Sequence, residues 1–228
     1  MALFLFDIDG TLLPPAGIGK RAFEKAVEDL YPGSPSGMRF ACDGLLDPQI
    51  ARRILEEMGR EADAGSVDRI LRRYLERLPA ERPPSPESYR CPGVPEVLEA
   101  AESRGHGTCL LTGNIREGAR MKLDFAGLRG RFQVGAYGDD APTRGGLVAV
   151  AVERSRHHWS RSFTHWETWI VGDSPRDLAA AREGGVHCAL VATGITPFEE
   201  LVACAPDLLL RDLTDPEPLW RVSEGVRP

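Results

Sequence analysis

Ala2-Leu3-Phe4-Leu5-Phe6-Asp7-Ile8-Asp9-Gly10-Thr11 runs an unbroken apolar stretch straight into an acidic turn. Such a run has the length of a buried strand rather than a helix. It delivers Asp7 and Asp9 at the strand's C-terminal end, where open α/β sheets bind their ligands. Two carboxylates two residues apart project to similar sides of an extended chain, so they can share a metal ion or divide acid and base work. Gly10 lets the backbone turn sharply, and the Thr11 hydroxyl can hold that turn. Standing alone, the stretch also reads as an ordinary Asp-Gly turn that ends a strand. Its surroundings separate the two readings.

Further short apolar runs occur at Thr108 to Leu111, Phe132 to Tyr137, Thr168 to Val171, Cys188 to Ala192 and Leu208 to Leu210. Helical patterns fill the gaps at Val94 to Arg104, Ile115 to Phe125, Leu147 to Arg156, Arg176 to Glu183 and Phe198 to Ala203. Alternation of this kind from about Tyr89 onward predicts an α/β fold, a Rossmann-like parallel sheet covered on both faces. The segment after the first strand breaks the rhythm, because Gly19 to Leu30, Pro48 to Met58 and Val67 to Leu78 are all periodic at helical spacing. It reads as an inserted all-helical cap. Leu13-Pro14-Pro15 and Arg82-Pro83-Pro84-Ser85-Pro86 bracket it as stiff connectors. The expected division is a core of residues 1–13 and 87–228 with a cap of residues 14–86. The stretch from Thr214 to Pro228 carries no readable pattern.

Two more strand ends carry chemistry. Leu110-Leu111-Thr112-Gly113-Asn114 places a hydroxyl and a glycine at the mouth of a helix, where Thr112 and the backbone of Gly113 and Asn114 can bind phosphoryl oxygens. Val171-Gly172-Asp173-Ser174-Pro175-Arg176-Asp177 ends another strand in two carboxylates. Three such ends converging on one crevice favour an oxygen-ligated, magnesium-type site.

In motif order and spacing the chain resembles the haloacid dehalogenase-like hydrolase superfamily, and within it phosphatases similar to phosphoglycolate phosphatase. The resemblance implies that Asp7 attacks phosphorus, that Asp9 protonates the leaving oxygen, and that Asp173 joins Asp7 and the Asp9 carbonyl around Mg²⁺. It also implies that Thr112 holds the phosphoryl group, that Gly10 and Thr11 belong to the binding turn, and that Asp177 supports the metal site. The chain departs from the family at the third motif, where a lysine is usual and Gly138-Asp139-Asp140-Ala141-Pro142-Thr143-Arg144-Gly145 stands. Arg144 and Lys122 are both candidates for the missing cation. Lysine occurs only at Lys20, Lys25 and Lys122 in an arginine-dominated chain, and Lys122 leans back along its helix toward Thr112, so Lys122 is the expected choice. In the cap, Gly44-Leu45-Leu46-Asp47-Pro48 stands where related phosphatases carry a polar pair before Asp-Pro, which hints at a less polar leaving group.

Composition sets the outer limits. With 228 residues, 42% of them hydrophobic and 27% charged, the chain is an ordinary globular one. The apolar start is too short for a membrane span or a signal-peptide core, so a cytoplasmic protein is expected. A net charge of -6 offers no field for nucleic acid. Five scattered cysteines without a CxxC pair read as reduced thiols. His157, His158 and His165, interleaved with Trp159 and Trp166, read as an irregular loop of half-buried aromatics before a strand. The expectation is a Mg²⁺-dependent phosphatase, monomer or homodimer, acting on a small phosphorylated metabolite through an aspartyl-phosphate. A phosphomutase, a phosphonatase using Lys20 or Lys25, and a catalytically idle binding protein are the alternatives.

Overall fold

A computed structural model describes residues 1–15, 17–34, 40, 42 and 44–225. Its centre is β1 (Leu3–Phe6), whose four side chains are all inaccessible to solvent. The alternation of the pleat sends Phe4 and Phe6 into one apolar layer and Leu3 and Leu5 into the other. β2 (Gly107–Leu111), β3 (Val134–Ala136), β4 (Thr168–Gly172), β5 (His187–Val191) and β6 (Leu208–Leu210) complete a parallel sheet in the order β3-β2-β1-β4-β5-β6. Phe6 is registered against Leu110 of β2 and Val171 of β4. The chain winds outward through β2 and β3, then returns to the far side of β1 for β4. Strand order therefore reverses beside β1, which opens a crevice at the strands' C-terminal ends.

Within the segment expected to be a cap, α1 (Ile18–Leu30), α2 (Asp47–Glu57) and α3 (Ala64–Arg77) are helices, with no strand between them among the described residues. Their sequences explain this. In α1 the buried positions Ile18, Ala22, Phe23, Ala26 and Val27 form one stripe, and in α3 Val67, Ile70 and Tyr74 do the same. The Asp63 carboxylate caps α3 by accepting from the Ser66 N–H at 3.0 Å. Phe23 stacks on Tyr74 with ring centroids 4.1 Å apart. Just outside the two proline-rich connectors, the Cys91 N–H donates to the Leu12 carbonyl at 3.0 Å and joins the chain on either side of the helical segment.

The rest of the sheet is covered by α4 (Val94–Ser103), α5 (Arg116–Phe125), α6 (Arg144–Trp159), α7 (Pro175–Gly184), α8 (Phe198–Ala203) and α9 (Glu217–Gly225). Two local expectations are corrected. α6 continues through His157, His158 and Trp159 and ends where Ser160 turns left-handed at φ 48°, so the first part of the His/Trp stretch is helix rather than loop. Leu147, Val148, Ala151 and Ser155 keep a buried stripe going along that helix. The stretch that carried no readable pattern contains α9, which buries Leu219 and Trp220. Among the described residues no helix is long and apolar enough to cross a membrane.

Candidate active site

The crevice beside β1 gathers the residues singled out at the three strand ends. A cavity of about 340 Å³ is lined by Asp7, Asp9, Thr112, Gly113, Asn114, Lys122, Arg144 and Asp173, together with residues from α1 and the segment leading into α2. Asp7 follows β1 directly, and its N–H donates to the Val171 carbonyl at 2.9 Å, which ties it to β4. Gly10 has φ 87°, and a Cβ there would overlap the Asp173 carboxylate. A Cβ at Gly194, in the loop after β5, would overlap the same group. Asp173 thus lies in a cradle of two glycines, with the Thr11 hydroxyl donating to its Oδ1 at 3.4 Å. The Thr193 hydroxyl donates to the Gly10 carbonyl at 2.6 Å and pins the turn.

One ligand oxygen each from Asp7, Asp173 and Asp177 lie within 4.8 Å of one another, and all three residues are buried. Burial pushes the Asp7 and Asp173 carboxyls well above the usual carboxylate range. At Asp7 the Arg144 guanidinium opposes the effect and Asp177 adds to it, while at Asp173 both Asp177 and Asp7 add to it. Carboxylates kept this dry and this close need positive charge nearby to ionise together. An oxygen-only donor set of this kind suits a hard divalent cation. Asp177 has little free valence, because its Oδ2 accepts from the Ser174 N–H and hydroxyl, at 3.1 and 2.6 Å, and its Oδ1 accepts from Arg144. It anchors the first turn of α7 in a capping box and holds Arg144 in place.

The two candidate cations separate in space. Arg144, the first residue of α6, is buried and sends Nη2 to within 2.9 Å of Asp7 Oδ2 while also binding Asp177. Burial works against its charge, but Asp177 and Asp7 outweigh that and raise its pKa. Lys122 is equally buried and places Nζ 2.9 and 2.7 Å from the two Asp9 oxygens. The expectation that Lys122 is the cation beside Asp7 is therefore corrected: Arg144 contacts Asp7, and Lys122 contacts Asp9. Helical lean did carry Lys122 back into the crevice, but its reach ends at the second carboxylate.

Asn114 donates from Nδ2 to Asp9 Oδ2 at 2.7 Å and to the Thr112 hydroxyl oxygen at 2.8 Å. Its backbone N–H donates to that same hydroxyl at 3.2 Å. With its oxygen accepting twice, the Thr112 hydroxyl keeps its proton for an acceptor in the cavity. The Asp9 side chain is 44% exposed, so a leaving group in the cavity can reach it.

Asp47 was quoted only within the cap stretch Gly44 to Pro48, with no role of its own, and Tyr74 and Gly194 were absent from the residues picked out in the sequence. The Asp47 carboxylate accepts from the Ile115 N–H at 2.9 Å, and its own N–H donates to the Gly113 carbonyl at 2.7 Å. It therefore stitches α2 to the start of α5. The Asp-Pro pair Asp47-Pro48 opening a helical pattern was the available signal. Tyr74 buries a hydroxyl with no hydrogen-bond partner, and nothing in the sequence distinguished it from a core aromatic. Of the two lysines considered for a Schiff base, Lys25 pairs with Glu81 at 2.5 Å and does not line the cavity, whereas Lys20 does.

A six-stranded parallel sheet among the described residues, with acidic clusters at the C-terminal ends of β1 and β4, defines a protein of Rossmann-like α/β architecture. The chain belongs to the haloacid dehalogenase-like hydrolases, whose family profile matches residues 4–182. It is 30% identical to the phosphoglycolate phosphatase of Caulobacter vibrioides over 225 residues, 94% of this chain and 88% of that one. It is 26% identical to the pyrophosphatase PpaX of Halalkalibacterium halodurans over 219 residues, 92% and 93% of the two chains. A hydrolase from Pseudomonas syringae shares the fold with a TM-score of 0.75 at 18% identity, over 100% of both chains. Together these make the chain an enzyme of the phosphoric monoester hydrolase type.

Proposed function

We propose that the protein is a Mg²⁺-dependent phosphatase that hydrolyses a small phosphate monoester through an aspartyl-phosphate on Asp7. The observation that carries this reading is the buried cluster of Asp7, Asp173 and Asp177 with Arg144 bound between Asp7 and Asp177. Asp7 and Asp173, with the Asp9 carbonyl implied by family resemblance, are the groups to hold Mg²⁺. Bound there, the ion supplies the charge that lets a carboxylate approach a dianionic phosphate. Arg144 adds a fixed cation against Asp7 and orients its oxygen. The Thr112 hydroxyl and the Gly113 backbone N–H donate to the phosphoryl oxygens, while the Asn114 N–H holds the Thr112 oxygen. The Asp7 oxygen bonds to phosphorus, the bond from phosphorus to the leaving oxygen breaks, and Asp9, oriented by Lys122 and Asn114, gives that oxygen its proton. Water then hydrolyses the acyl phosphate with Asp9 accepting the proton.

Residues 14–86 act as the cap over a core of residues 1–13 and 87–228, closing on the crevice and excluding water. The relatives' names, phosphoglycolate phosphatase and pyrophosphatase, support a small phosphorylated substrate. A cytoplasmic protein, monomeric or homodimeric, fits that role. The test is phosphate release from p-nitrophenyl phosphate. Turnover is expected with Mg²⁺ and is expected to vanish in excess EDTA and in Asp7→Asn at unchanged melting temperature. Full turnover in either condition would sink the mechanism.

A further inference from the structure

Beyond the carboxylates the cavity changes character. Ile18 and Phe23 of α1, Phe40, Leu45, Ile50 of α2 and Ile195 after β5 all line it. The two aromatic ones are held by ring contacts. Phe23 is stacked on Tyr74, and the Arg53 guanidinium lies 4.6 Å from the Phe40 ring centroid. The Leu45 N–H donates to the Cys42 carbonyl at 2.9 Å, and its own carbonyl packs where a Cβ on Gly113 would stand. Ile195 is 59% exposed, an apolar side chain spent on the cavity rim.

The charges around this surface are already committed. Arg144 is bound by Asp7 and Asp177, and Lys122 by Asp9. The one further cation among the described lining residues is Lys20, whose half-exposed side chain holds Nζ 4.0 Å from Glu24. A carboxylate or a second phosphoryl group seated among the six apolar side chains would lose its hydration, and among the described lining residues only Lys20, at 4.0 Å from Glu24, is left to offset that loss. We propose that this surface is a leaving-group subsite for an uncharged aromatic or branched alkyl group. The substrate class is then a phosphate monoester of an apolar alcohol or phenol, unlike glycolate or pyrophosphate. The proposal rests on the phosphatase reading for the position of the phosphoryl end.

Binding and turnover tests keep the two ideas apart. Benzylphosphonate and phosphonoacetate present the same phosphonate with an apolar or an anionic tail, and neither is hydrolysed. Titrated calorimetrically into the Mg²⁺-supplied protein, benzylphosphonate is expected to bind at least about tenfold more tightly, the scale of hydrophobic-pocket discrimination. That preference is expected to shrink severalfold in Leu45→Gln and in Ile195→Gln. The exposed position of Ile195 keeps the second variant informative if the first does not fold. Equal affinities, a preference for phosphonoacetate, or a preference unmoved in the folded variants would overturn the subsite. Phenyl phosphate and phosphoglycolate are assayed for turnover in parallel. If the binding preference holds while neither ester is turned over, the subsite stands and the phosphatase reading falls.

Discussion

Arg144 and Lys122 each neutralise one carboxylate of the Asp7-Ile8-Asp9 turn, and the two pairings make different kinetic predictions. Arg144 contacts Asp7, the proposed nucleophile, so its loss should slow every ester alike. Arg144→Ala is expected to lower kcat/KM by about 10²-fold or more for phenyl and alkyl phosphates in the same proportion. Because that change also strips the partner from two buried carboxylates, Arg144→Lys provides a milder comparison at measured melting temperature. Lys122 contacts Asp9, the proposed general acid, whose proton matters most when the leaving oxygen is basic. Lys122→Ala should therefore slow alkyl phosphates by about 10²-fold while costing p-nitrophenyl phosphate far less. Uniform losses for Lys122→Ala, or leaving-group dependence for Arg144→Ala, would reverse the assignment.

At the scale of elements, the seam between α2 and α5 is held by a carboxylate placed where ionisation is costly. Burial pushes the Asp47 carboxyl up to about 7, against the attraction of Lys122 and the Ile115 N–H. Because the folded pKa exceeds the unfolded value of 3.8, the folded state holds this proton more tightly. The stability contributed by that retention is full below about pH 3.8 and is lost as pH rises through about 7. Asp47→Asn keeps an acceptor for Ile115 and has no charge to bury. Urea unfolding at pH 5 and pH 8 is expected to show the variant gaining on wild type by on the order of 1 kcal/mol or more at the higher pH. A difference between the two proteins that does not change with pH would refute the assignment of Asp47 as a buried titrating group.

Across the whole molecule, one apolar cluster runs from the Phe4–Phe6 face of the sheet through α4 and α9 to the helices of the insertion. Trp220 closes its sheet end, with ring centroids 5.4 Å from Phe4 and 5.6 Å from His106. Trp220→Ala should cost about 3 to 5 kcal/mol, measured by urea unfolding. It should leave KM for any hydrolysed ester unchanged in protein that remains folded, since α9 contributes nothing to the cavity lining. A cost below about 1 kcal/mol would mean that the last helix is peripheral to the core.

Strand and helix order were legible in the chain because each core strand is a short apolar run closed by a turn, and the longer helices carry buried stripes of their own. The acid pair of β1, Thr112 and the acidic end of β4 were legible for a similar reason, since each sits within a few residues of a strand end that marks its place. α9 escaped because its burial rests on Leu219 and Trp220 alone, too few to set a period. The pairing of cations with carboxylates needed the tertiary structure. Arg144 and Asp7 lie on different elements, and which oxygen a long side chain reaches depends on how α5 and α6 are set against the sheet. The same holds for the cradle of Gly10 and Gly194 around Asp173 and for the stitch from Asp47 to Ile115. Local periodicity is written along the chain, whereas close approach between distant segments is decided only when the layers pack.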